Sequence, residues 1–129
     1  MKTYWDSSAL VQSVYDPAMK QRFQNERGFT RTHSLAETFS ALTANPATRL
    51  EASHAAKVVD WLAQHLDFVD LSAAEITQAL HYARRLGVRG GRVHDYLHAL
   101  AAEKGQAGRI LTLDRHDFAD LTTLTVEQG

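Results

Sequence analysis

The chain has 129 residues, long enough for one domain with a buried core, and its 44% hydrophobic and 22% charged composition is ordinary for a globular protein. It contains no cysteine, which excludes disulfide staples, thiolate-held zinc and thiol nucleophiles. A net charge of −1, from 14 basic and 15 acidic residues, argues against a general nucleic-acid coat, so contact with nucleic acid would be local or metal-assisted. No apolar run approaches the roughly 20 residues of a membrane span, and Asp6 interrupts the N-terminus before a secretory core forms. The expectation is a single cytoplasmic domain over residues 1–129.

Lys2 to Trp5 reads as a short strand, followed by Asp6-Ser7-Ser8, where Ser7 or Ser8 would cap a helix running from Ala9 to Tyr15. Asp16-Pro17 stops that helix, and Ala18 to Glu26 follows as a second. Gly28 to Thr32 reads as a strand. Ser34-Leu35-Ala36-Glu37 has the pattern of a capping box opening a helix that Asn45-Pro46 ends. The apolar stripe Ala52, Ala55, Ala56, Val59, Leu62, Ala63 and Leu66 predicts a long helix. Phe68 to Leu71 is expected as a strand, and Ser72 to Glu75 as a second capping box whose helix reaches about Leu86. After the loop Gly87 to Arg92, the residues Val93, Leu97, Leu100 and Ala101 mark another helix. Arg109 to Leu113 is a buried-type strand ending on Asp114, His116 to Phe118 a turn, and Leu124 to Val126 a last strand. Strands alternating with helices predict an α/β fold, a three-layer α/β/α sandwich with a short, mainly parallel central sheet.

Asp6 and Asp114 follow directly after predicted strands, where open parallel sheets bind their ligands. Glu37 and Asp95 fall in the first turns of two predicted helices. Taken singly, each acid has a plain structural explanation: a helix cap for Asp6, a capping box for Glu37, a helix N-terminus for Asp95, a turn for Asp114. Helices starting on one edge of the sheet would bring all four together. Four carboxylates in one site raise one another's pKa unless a cation compensates, and carboxylate oxygens suit Mg²⁺ or Mn²⁺.

The ordered set Asp6-Ser7-Ser8-Ala9-Leu10, Leu35-Ala36-Glu37, His94-Asp95-Tyr96-Leu97-His98-Ala99 and Leu111-Thr112-Leu113-Asp114-Arg115-His116-Asp117-Phe118 closely resembles the PIN-domain family, in particular the toxin ribonucleases called VapC. The resemblance runs from Thr3 to about Val126. It implies a Mg²⁺-dependent endoribonuclease, the toxin of a type II toxin–antitoxin pair, hydrolysing RNA phosphodiesters with a carboxylate such as Asp95 or Asp114 orienting the water. Asp6, Glu37 and Asp95 match the family's first three acids. The fourth matches Asp114 or Asp117; Asp114 is taken as the inner residue and Asp117 as a supporting or second-metal group. Ser7 and Thr112 match supporting polar positions. The implied partners are RNA, a small antitoxin and a second copy of the chain. The alternatives are a PIN nuclease of RNA processing or decay that works without an antitoxin, and a catalytically silent PIN module used for protein contact, against which the intact acid set speaks.

Arg84, Arg85, Arg89 and Arg92 cluster around the glycine-rich loop before Asp95. Arg89 and Arg92 are candidates for contacting RNA phosphates, and a solvated helix end is the structural alternative. His94 and His98 are spaced four apart as in the zinc motif H-E-x-x-H, with Asp95 in place of the Glu and no third zinc ligand evident. His98 is expected to be an ordinary, partly exposed helix residue. Trp5, Phe23, Phe39, Trp61 and Phe118 read as core or interface residues.

Overall fold

The computed structural model describes residues 1–129 as five strands and six α-helices. In chain order these are β1 (Thr3–Trp5), α1 (Ser7–Tyr15), α2 (Pro17–Asn25), β2 (Gly28–Thr30), α3 (His33–Ala44), α4 (Ala52–Gln64), β3 (Leu66–Phe68), α5 (Ala73–Tyr82), α6 (Arg92–Lys104), β4 (Arg109–Thr112) and β5 (Thr125–Gln128). Short 3₁₀ turns cover Ala83–Leu86 and Arg115–Phe118. The strands form one sheet in the order β3-β2-β1-β4-β5, and every pairing is parallel.

A parallel sheet covered on both faces requires strands that are apolar on both sides, and β1 and β4 are built that way. Tyr4 and Ile110 point to one face and join Phe29, Leu97, Ala101 and Phe118 in a core beneath α5 and α6. Trp5 and Leu111, one residue further along each strand, point to the other face and pack with Leu10, Phe23 and Leu62 beneath α1, α2 and α4. Each large side chain buried in this way contributes roughly 1.5–3 kcal/mol. Helix α3 packs against α1 and α4. Phe39 and Trp61 are only partly covered, whereas Trp5, Phe23 and Phe118 are core residues.

Three local expectations are revised. Asp6, not Ser7 or Ser8, caps α1, accepting a hydrogen bond from Ala9 N at 2.9 Å. The Ser34–Glu37 capping box does not form. Helix α3 starts at His33, Ser34 is buried and accepts the Thr30 hydroxyl at 2.7 Å, and Glu37 falls in the second turn. The third strand lies at Leu66–Phe68 rather than Phe68 to Leu71, because Leu66 comes into register with Gly28 as soon as α4 ends. The Ser72–Glu75 box forms in full.

Because all five strands run the same way, their carboxyl ends share one edge. The chain builds β2 and β3 on one side of β1, then returns to place β4 and β5 on the other. The reversal falls between β1 and β4, and Asp6 and Thr112 stand at the ends of these two strands. The crevice at such a reversal is where open α/β sheets bind ligands.

Candidate active site

Asp6 is 5% exposed, and both of its carboxylate oxygens are held by hydrogen bonds from the chain. Oδ1 accepts from Ala9 N and from Ser8 Oγ at 2.7 Å; Oδ2 accepts from Thr112 Oγ1 at 2.6 Å. Thr112 thus ties the end of β4 to Asp6. The other supporting hydroxyl is Ser8 and not Ser7: Ser8 Oγ also accepts Leu113 N at 2.9 Å, tying α1 to the end of β4.

Glu37 is half-buried on α3 and reaches across to α6. Its Oε1 lies 2.9 Å from His98 Nε2 and 4.0 Å from an Arg31 guanidinium nitrogen. These cationic and hydrogen-bonding neighbours outweigh the burial that opposes them and hold the Glu37 carboxyl below its usual range. His98 is not a partly exposed helix residue. It is 2% exposed, with Nδ1 2.6 Å from the Tyr4 hydroxyl. Both of its nitrogens are engaged inside the chain, so the His94/His98 pair does not form the zinc face that its spacing suggests. The His94 ring stacks on His33 instead, centroids 6.2 Å apart and planes at 17°.

Asp95 stands in the first turn of α6. Its carboxyl is pushed up to about 6, first by burial and then by the negative charge of Asp117, with further contributions from Asp6 and Glu37. Asp117, on the 3₁₀ turn after β4, is likewise raised, by burial and by the charges of Asp114 and Asp6. Asp117, Asp6 and Glu37 thus act on Asp95, and Asp114 and Asp6 act on Asp117, at the carboxyl edge of the sheet. Asp114, exposed like Asp117, caps the 3₁₀ turn, its Oδ1 accepting His116 N at 2.9 Å.

The arginines divide. Arg92 donates to the Ala119 carbonyl, clasping the start of α6 to the turn that carries Asp117. Arg89 is exposed, and so are Arg84 and Arg85. Arg85 lies over the Tyr82 ring at 5.0 Å. Arg31, which sequence reasoning passed over, stands 4.0 Å from Glu37. It follows β2 directly and is 7% exposed, and its Nε and Nη2 are buried without hydrogen-bond partners. A charged residue placed straight after a strand of a parallel sheet was the available signal.

The donor set of the cluster is all oxygen and all acidic. A divalent cation suits such a set.

An all-parallel α/β sheet with acids gathered at its switch point offers a site with the chemistry to hold a divalent cation. The sequence matches the PIN domain family over residues 3–124, and the chain belongs to that family, whose members are generally nucleases. A structure of VapBC2 from Rickettsia felis, bound to a DNA fragment from its promoter, contains a chain of the same fold: TM-score 0.71, 16% identity, covering 100% of this chain and 99% of that one. PAE2754 from Pyrobaculum aerophilum is similar at TM-score 0.66 and 16% identity, covering 98% of this chain and 90% of its own. No curated protein matches the chain in sequence. No helix is long and apolar enough to cross a membrane.

Proposed function

We propose that the chain is a Mg²⁺-dependent endoribonuclease acting in the cytoplasm as the toxin of a type II toxin–antitoxin pair. The observation that carries this reading is the placing of half-buried Asp95 at the carboxyl edge of the sheet beside Asp6, Glu37 and Asp117, whose charges push its carboxyl up after burial has done so. Asp6, Glu37, Asp95 and Asp117 are assigned to hold the cation, with Asp114 shaping the turn that presents Asp117. This assignment reverses the order expected for Asp114 and Asp117. Bound Mg²⁺, or Mn²⁺ in its place, would neutralise charge on the phosphodiester and lower the pKa of water.

The chain's own groups supply the positioning. Thr112 and Ser8 lock the Asp6 carboxylate. His98 locks Glu37. Asp95, in the first turn of α6, is suited to orient the attacking water. Exposed Arg89 is assigned to RNA phosphates, and Arg92 to holding the turn.

Similarity to a VapBC2 structure supports an antitoxin partner. The cleft formed by Val14, Val58 and Trp61 with Lys20 and Lys57 has the chemistry to accept an amphipathic segment with acidic flanks. A second copy of the chain is the other partner assigned. Cleavage of RNA in Mg²⁺ that is abolished by chelator and by Asp6→Asn or Asp95→Asn supports the nuclease assignment; undiminished cleavage by those variants overturns it. Growth arrest on induced expression, relieved by the neighbouring gene, supports the toxin assignment, and unaffected growth defeats it.

A further inference from the structure

We propose a second metal site, for a zinc-type transition ion, formed by His33, Glu37 and His94. His33 and Glu37 are one turn apart on α3 and so share a face of that helix. His94 reaches them from the first turn of α6. One ligating atom from each of the three lies within 4.8 Å of the others. Ligands at about 2.0–2.2 Å from a tetrahedral ion stand roughly 3.4 Å apart. His33 and His94 are exposed and free to close that difference by rotation.

Two further observations point to a ligand. All three residues line one open cleft, together with Ala36, Ser40 and Ala44, so an ion reaches them directly from solvent. Glu37 is also pre-oriented from behind. His98 holds Oε1, with Arg31 beyond it, while Oε2 takes no hydrogen bond from the chain. A carboxylate fixed through one oxygen and free at the other is the usual state of a metal ligand.

Two imidazoles and one carboxylate select zinc-type ions over Mg²⁺, which favours all-oxygen ligands; Glu37 belongs to both ligand sets and would be shared between the two ions. Three protein ligands leave a position open to water or a substrate oxygen, as in catalytic rather than structural zinc sites. The pair spaced four apart on α6 is thus not the zinc pair. Its His94 finds its partners on α3.

The test is a Co²⁺ titration of the full chain in excess Mg²⁺, which keeps the acid cluster occupied by the hard ion. Visible absorption reports nitrogen ligation, and Zn²⁺ is the competitor. One Co²⁺ per chain is expected, displaced by Zn²⁺, with affinity falling at least ten-fold in His33→Ala and in His94→Ala but unchanged in His54→Ala, a surface histidine on α4. Circular dichroism checks that each variant is folded. Absence of the Co²⁺ bands, or bands that survive His33→Ala with His94→Ala, overturns the site. RNA cleavage by the same preparations separates this proposal from the nuclease reading: lost Co²⁺ binding with intact cleavage sinks only the second site, and the converse sinks only the nuclease.

Discussion

His98 joins the Tyr4 hydroxyl to the Glu37 carboxylate, with Nδ1 2.6 Å from the one and Nε2 2.9 Å from the other, so a single buried ring couples the central strand to an acid on α3. A neutral imidazole with its proton on Nε2 satisfies all three groups: it donates to Glu37 and accepts from Tyr4. Burial raises the Tyr4 pKa, which keeps that hydroxyl a donor. His98→Ala removes the imidazole that the Tyr4 hydroxyl bonds and releases Glu37. Thermal denaturation should show a loss of about 1–3 kcal/mol. Cleavage should fall about 10–100-fold, the usual effect of losing a group that orients a metal ligand.

The raised Asp95 carboxyl sets a pH dependence. Its folded pKa of about 6 lies above the ordinary 3.8, so the folded state binds this proton more tightly than the unfolded chain does. The stabilisation is complete below about pH 4 and is lost as pH rises through about 6. In chelator, melting temperature should therefore decline across this window. Asp95→Asn should remove the decline and be more stable than the parent at pH 7, by on the order of 1 kcal/mol after solvent screening. Mg²⁺ affinity of the parent should rise over the same interval, because the cation competes with the proton. The same pH dependence in the parent and in Asp95→Asn would contradict the site.

Thr112 bonds Asp6 by a hydroxyl that no isostere without oxygen can replace. Thr112→Val should keep the fold, since the site is filled by the same volume, yet lower cleavage about ten-fold or more. Thr112→Ser should recover most of it. Equal activity in Val and Ser variants would remove Thr112 from the positioning role.

Asp117 and Asp114 are distinguishable by a pair of substitutions. Asp117→Asn should remove the main charge acting on Asp95, moving its titration downward and reducing cleavage by orders of magnitude. Asp114→Asn retains a side-chain oxygen for His116 N and should cost far less. Carboxyl chemical shifts followed through a pH titration measure the first effect, and steady-state cleavage the second.

The sheet itself offers a check at Gly28. A Cβ there would stand 2.5 Å from a Trp5 ring atom and 3.0 Å from the Thr3 carbonyl, and Trp5 is completely buried. Neither backbone nor ring can yield cheaply, so Gly28→Ala should destabilise by about 1–3 kcal/mol or more in chemical denaturation. Trp5 fluorescence should change with it.

The sequence by itself determined the alternation of strands and helices, because short β-forming runs between stops such as Asp16-Pro17 and Asn45-Pro46 are local signals. It also determined the Ser72–Glu75 cap, whose two partners are three residues apart, and the placing of Asp6 directly after a strand. Only the tertiary structure decided what the polar side chains do. The Ser34–Glu37 box has the same local pattern as Ser72–Glu75, yet Ser34 is claimed by Thr30 and Glu37 by His98, 61 residues away. Asp6 finds Thr112 across 106 residues, while Ser8 displaces Ser7 because the end of β4 lies beside it. Arg31 has only its place after a strand to mark it, and the His33–Glu37–His94 group spans two helices, with His94 brought in by the fold. A buried polar group takes whichever partner burial leaves within reach, and that choice belongs to the packing of α3 against α6 and of β1 against β4 rather than to spacing along the chain.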